Sequence, residues 1–246
     1  MRPIRFSTGA LTHGAFRDGL SMVARAGLPA VELSALRDHE LAPLMEALPK
    51  LDLERFQYVS IHVPSKFKTL SEAEVARLLQ PCVVRRIPLV LHPDAIGDDA
   101  CWRGFGSLLC IENMDKRKPI GRTVEELDGF FARFPDASFC FDVAHAYQVD
   151  STMTEARAML CRYSARLKQI HISEIDSEGK HYAMSIATIL ASQRIAALIP
   201  EDIAIVIESQ VPESAITTEV ESARRALDVR RTDAADAAHS DWGGLA

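Results

Sequence analysis

In the stretch "FCFDVAHAYQ" an apolar run of the kind that builds a buried strand is followed by Asp142 and, three residues on, His145. A carboxylate and an imidazole are costly in an interior position unless something compensates them. The same feature recurs along the chain. The run "YVSIHV" carries His62, "PLVLH" ends in His92, and "LLCIEN" ends in Glu112 and Asn113. "LKQIHIS" delivers His171, with His181 in the segment beyond it, and "IAIVIES" delivers Glu208. One strand-end histidine is ordinarily a hydrogen-bonded structural group. Six successive runs that present His, Asp or Glu at the same edge point to a shared purpose. Grouped carboxylates repel one another and lose hydration, a cost that bound cations offset. Mixed imidazole and carboxylate ligation suits Zn²⁺, Mn²⁺, Co²⁺ or Fe²⁺ better than Ca²⁺. One or two divalent ions are therefore expected, and with no thiolate in the set a cysteine-type structural zinc is disfavoured.

The elements that must position these residues follow a regular alternation. Eight short apolar or β-branched runs, "IRFST", "AVELS", "YVSIHV", "PLVLH", "LLCIEN", "SFCFDV", "LKQIHIS" and "IAIVIES", are separated by amphipathic stretches. Helices are expected over 15–26, 38–48, 71–80, 123–134, 153–166, 184–198 and 213–229. Ser71 with Glu74, and Thr123 with Glu126, fit capping boxes, while Gly27 and Pro49 stand where helices should stop. The segment between "PLVLH" and "LLCIEN" is too short for a long helix. The pattern predicts an α/β fold, a (β/α)8 TIM barrel with one βα unit abbreviated, whose strands read as continuously apolar. A doubly wound open sheet is the alternative. One domain over 1–230 is expected, with a small, polar, peripheral tail over 231–246.

Composition narrows the function classes. Length and a hydrophobic share of 48% allow a sizeable core. The five cysteines are scattered and never form C-x-x-C, so they read as reduced thiols. A formal charge of −6 works against generic polyanion binding. The first residues carry no extended apolar run and no segment approaches the ~18 to 20 apolar residues of a membrane span, so a cytoplasmic protein is expected. Neither G-x-G-x-x-G after the first strand nor a P-loop pattern occurs.

The stretches "IHVP", "LHPDAIG", "IENMD", "CFDVAHA", "HISEIDSEGKH" and "IES", spanning about residues 57 to 210, resemble the xylose isomerase-like TIM-barrel superfamily. That group joins sugar and sugar phosphate isomerases and epimerases with endonuclease IV-type apurinic/apyrimidinic-site nucleases of AP endonuclease family 2. The isomerase branch implies that Glu112, Asp142, His171 and Glu208 hold one divalent metal and that His145 touches substrate. The nuclease branch implies a wider cluster, adding His62, His92, His145 and His181 as ligands of two or three zinc ions. Two departures stand out. Gly179 occupies the place where the nuclease pattern wants an acidic residue, two before the loop histidine. Ser177 occupies the neighbourhood where the epimerase branch has an arginine.

The expected chemistry is isomerisation or epimerisation of a small sugar, polyol or sugar phosphate through an enediolate. Glu112 and Glu208 would exchange the proton. The same cage, used to activate water on a phosphate, would make a phosphodiester hydrolase. A metal-binding barrel without catalysis is the third class. Substrate contacts are expected from His145, Asn113, Lys116, Arg117 and Lys66, the basic residues forming an anion pocket on the catalytic face. Phe67, Trp102, Phe105, Tyr147 and Tyr182 read as packing groups rather than nucleotide wedges. The expected partner is a small polyhydroxylated molecule. Nucleic acid is disfavoured, and a homo-oligomer is compatible with the sequence.

Overall fold

Each of the eight apolar runs forms a strand: β1 (Ile4–Ser7), β2 (Ala30–Ser34), β3 (Tyr58–His62), β4 (Leu89–Leu91), β5 (Leu109–Glu112), β6 (Ser138–Asp142), β7 (Leu167–Ile172) and β10 (Ala204–Ile207). They pair in parallel in the order β1-β10-β7-β6-β5-β4-β3-β2 and close on themselves. The protein is thus a (β/α)8 barrel, here seen in a computed structural model that describes residues 3–228. Residues 231–246, read above as a tail, lie outside the described residues. Between β7 and β10 a two-stranded antiparallel hairpin, β8 (Glu174–Ile175) and β9 (His181–Tyr182), replaces part of what the sequence reads as loop. Among the described residues no helix is long and apolar enough to cross a membrane.

The barrel strands are not apolar on both faces, which corrects the reading of them as continuous apolar runs. Outward residues such as Phe6, Val31, Leu33, Ile61, Leu91, Ile111, Phe141, Ile170 and Ile205 join the main core under the helices. Their alternates point into the lumen, because successive side chains in a strand face opposite ways. Several of these inward residues are polar and fully buried: Arg5, Glu32, Ser60, Glu112, Asp142, Gln169 and His171. The hydrogen bond from Gln169 in β7 to Glu32 in β2 joins strands that are not neighbours, so it must cross the lumen.

The helices follow the expected spans, with the abbreviated unit confirmed between β4 and β5, where a four-residue helix, Asp99–Trp102, leads into a 3-10 stretch. The Ser71 capping box forms as expected. At Thr123 only half of the box forms. Its hydroxyl takes the Glu126 amide, but the Glu126 carboxylate turns to the amide and guanidinium of Arg122, a charged partner it prefers. A further helix, Val143–Val149, begins directly after β6, outside the spans expected to be helical. Trp102 is fully buried between Phe67 and Phe105, so these aromatics are packing groups.

Candidate metal centre and active site

The C-terminal ends of β3 to β7 and β10 bring the predicted residues to one place. Glu112 lies at the centre. Its Oε1 is 3.1 Å from His171 Nδ1 and 3.6 Å from His145 Nδ1. Its Oε2 is 3.4 Å from His62 Nε2 and 3.2 Å from His92 Nε2. Glu208 Oε2 approaches the same His171 Nδ1 at 3.3 Å and His181 Nδ1 at 3.9 Å. One ligand atom from each of Glu112, Asp142, His171 and Glu208 falls within 4.8 Å of the others, and the same holds for the trio His62, His92 and Glu112.

Local structure holds each group. Asp142 is the N-cap of Val143–Val149, and its Oδ1 accepts the His145 amide at 2.6 Å. Asn113 braces β6 by accepting the Asp142 amide at 2.8 Å and donating to the Asp142 carbonyl at 2.9 Å, which occupies its side chain. His62 Nδ1 meets the carbonyl of Val63 at 2.9 Å, leaving Nε2 toward Glu112. His145 Nδ1 meets the carbonyl of Asn113 at 2.9 Å. His181, on the hairpin, is held by Ser173 Oγ at 2.8 Å from Nδ1.

Burial and neighbouring charges act on most of the cluster in opposite directions. Burial works against the charged form of Glu112, yet His171, His62 and His92 together hold it well below the usual carboxylate range. Glu208 is likewise held low by His171 and His181 against the cost of burial. Burial pushes Asp142 up to about 7, with Glu112 and Glu208 adding to the push. Burial also opposes a charge on His62, but the Glu112 carboxylate beside it prevails and raises it to about 9. His171 is raised too, its carboxylate neighbours outweighing burial, whereas burial lowers His92 and His181.

The donor set fits a divalent cation. Glu112 Oε2 and Asp142 Oδ2 are buried and, among the described residues, have no hydrogen-bond partner. Two such oxygens facing imidazoles are what oxygen-and-nitrogen ligation would satisfy. Cys140, two residues before Asp142 and on the same face of β6, places its sulfur within 4.8 Å of ligand atoms of Glu112 and His171.

A cleft of about 200 Å³ opens over this cluster. Glu112, Glu208, His62, His92, His145 and His181 line it, whereas Asp142 and His171 sit beneath. Ser7 and Ser34, hydrogen-bonded to each other at 2.7 Å, line it as well. Of the basic residues expected there, Lys66 and Lys116 are exposed and do not line it. Arg117 does, but its guanidinium is tied to Asp115 by two bonds of 2.8 Å and also donates to the Glu178 carbonyl. Lys118 lines it too and is paired with Asp94 at 2.8 Å. A larger groove of about 660 Å³ lies at the other end of the barrel, where β3 and β7 begin, and holds none of the candidate ligands.

Three residues near the cluster escape sequence reasoning. Glu32 lies 3.2 Å from His171 Nε2, and its signal was a charge in the middle of the apolar run "AVELS". Asp115 is 4.0 Å from His145 Nε2, and the acid in "IENMD" was the trace of it. Cys140 gave only its parity with Asp142 along the strand.

No family model matches the chain, and no curated protein matches it in sequence. Among solved structures it is similar to an L-ribulose 3-epimerase, at 11% identity and TM-score 0.56, covering 99% of this chain and 100% of that one. It is similar to endonuclease IV from Thermus thermophilus, at 17% identity and TM-score 0.56, covering 92% and 99%. A third is the IolI protein with a bound zinc atom, at 13% identity and TM-score 0.52, covering 92% and 98%. These likenesses bear out the barrel fold.

Proposed function

We propose that this xylose isomerase-like barrel is a divalent metal-dependent isomerase or epimerase of a small sugar, polyol or sugar phosphate. The observation that carries the reading is the convergence of Glu112, Asp142, His171 and Glu208, with buried carboxylate oxygens left unpartnered. The shared fold of sugar-acting enzymes supports it. These four residues would hold the ion, and a bound divalent cation supplies Lewis acidity toward a substrate carbonyl.

The chain's own groups divide the remaining work. Glu112 and Glu208 alone of the four line the cleft, and both are held ionised at neutral pH. Their strands lie three places apart round the barrel, so they face the cleft from different directions. One carboxylate takes the proton from the carbon beside the carbonyl, leaving an enediolate; the other, after taking up a proton from solvent in the cleft, gives it to the opposite face or to the neighbouring carbon, and the first releases its proton to solvent, so that both end ionised. The first outcome is epimerisation and the second isomerisation. His145 and the Ser7 and Ser34 hydroxyls, which line the cleft, would meet substrate hydroxyls. Arg117 and Lys118, already neutralised by Asp115 and Asp94, offer an anionic substituent only a shared contact.

A second reading, phosphodiester hydrolysis by two ions, is favoured by the trio His62, His92 and Glu112, which shares Glu112 with the first set. The deciding experiment combines metal analysis of the purified protein with incubation in D₂O against a panel of ketoses and ketose phosphates. The proposal expects bound transition metal and chelator-sensitive deuterium uptake beside the carbonyl. Cleavage of an abasic-site duplex without such uptake would establish the hydrolase. A protein that binds no metal and shows neither activity would be a non-catalytic barrel.

A further inference from the structure

Beneath the cluster lies a second buried carboxylate that the proposed chemistry does not use. Glu32, in the middle of β2, is fully buried and does not line the cleft. Its Oε2 accepts from Ser60 Oγ at 3.0 Å and Gln169 Nε2 at 2.8 Å, and stands 3.2 Å from His171 Nε2. Gln169 is itself oriented from below, because the Tyr58 hydroxyl donates to its Oε1 at 3.0 Å. The Tyr58 ring in turn lies under the buried guanidinium of Arg5 at 3.9 Å. A continuous polar column therefore runs from Arg5 up the lumen to His171.

We infer that Glu32 is a positioning residue: its carboxylate keeps the His171 proton on Nε2 and so aims the Nδ1 lone pair at the site formed by Glu112, Asp142 and Glu208. The inference rests on the metal reading of that site but not on the reaction performed there. The geometry poses a choice of tautomer. With the proton on Nε2, His171 donates to Glu32, and Nδ1 is free to bind a cation beside Glu112 and Glu208. With the proton on Nδ1, Gln169 Nε2 donates to His171 Nε2 at 2.7 Å, and no lone pair faces the carboxylates. Glu32 and Gln169 thus compete for one ring nitrogen. Only the Glu32 carboxylate can accept a proton from that nitrogen; the Gln169 amide is a donor and has the same carboxylate as its own acceptor. A carboxylate behind a ligating imidazole also raises the basicity of the ligating nitrogen.

Zinc affinity of the full chain, measured by competition with a chelating dye, tests this with Glu32→Gln. Loss of the carboxylate should weaken zinc binding by about 10- to 100-fold, while Ser60→Ala, which touches Glu32 but not His171, should change it by less than about threefold on the same scale. Nitrogen-15 spectra of the zinc-loaded wild type should show the His171 ring protonated at Nε2, a readout that needs no variant to fold. A His171 proton on Nδ1, or zinc affinity of Glu32→Gln equal to wild type, would overturn the inference while leaving the metal site standing. A wild type that takes up no zinc or other divalent ion would overturn the metal reading beneath it.

Discussion

Asp142 and His145 are joined through the backbone before their side chains meet. Asp142 Oδ1 accepts the His145 amide at 2.6 Å, while Oδ2, unpartnered, lies 3.7 Å from His145 Nδ1. The three-residue spacing is that of an N-cap and the third helical position. One oxygen starts the helix that carries His145, and the other faces the site.

Asparagine at 142 separates these two duties, since its carbonyl oxygen can still cap. Asp142→Asn should melt no lower than wild type without metal, yet bind divalent metal at least about tenfold more weakly. Asp142→Ala should lose the cap in addition, about 1 kcal/mol. Calorimetry and metal titration of the two variants check this. Wild-type affinity in Asp142→Asn would remove the residue from the ligand set.

The histidines set a pH dependence for the protein kept in chelator. His62 is raised from 6.5 to about 9, so its contribution to stability is complete below pH 6.5 and disappears as pH climbs toward 9. His145 and His171 are also raised and act in the same direction. Glu112 and Glu208, held low, have made their contributions well below that window. The melting temperature should therefore fall between pH 6.5 and 9, and His62→Gln should flatten part of the slope. A curve that rises across this range would contradict the assignment.

Glu208 is a ligand candidate that also reaches the cleft, with 12% of its side chain exposed. Glu208→Gln preserves its shape and removes its basicity. Turnover, read as deuterium uptake from solvent, should fall about 100-fold or more while circular dichroism shows the fold retained. Near-normal turnover would exclude Glu208 as a proton carrier.

Gly179 sits at φ +80°, in the turn of the β8–β9 hairpin, with the Arg117 guanidinium packed directly on it. A Cβ there would overlap that guanidinium, which its bonds to Asp115 and the Glu178 carbonyl hold in place. Gly179→Ala should destabilise by about 1 kcal/mol or more. In an Arg117→Ala background the crowding disappears and only the backbone cost remains, so the cycle should show coupling. Additive effects in denaturant melts would show that the contact does not form in solution.

The departure noticed at Gly179 in the sequence thus acquires a physical counterpart. Where a side chain would have pointed to the site, the space holds an arginine that joins the β5 loop to the hairpin. The run "DKRKPIGR", residues 115–122, holds one of its own partners, Asp115 for Arg117, and Glu126 for Arg122 follows four residues on, whereas Asp94, the partner of Lys118, comes from the loop after another strand. The Lys118–Asp94 pair depends on how two loops meet in space, which a one-dimensional pattern does not encode.

The eight strands and the ligand-type residues at their ends were legible from the sequence alone, because strand ends and apolar periodicity are local properties, set by residues that are neighbours in the chain. Only the tertiary structure decided that Glu112 sits within reach of His62, His92, His145 and His171, that Asp142 begins a helix rather than a loop, and that Glu32 lies under His171. These relationships depend on which alternate residues face the lumen and on how far each strand is staggered when the barrel closes. Closure is a property of all eight strands at once, so no single stretch of chain carries it.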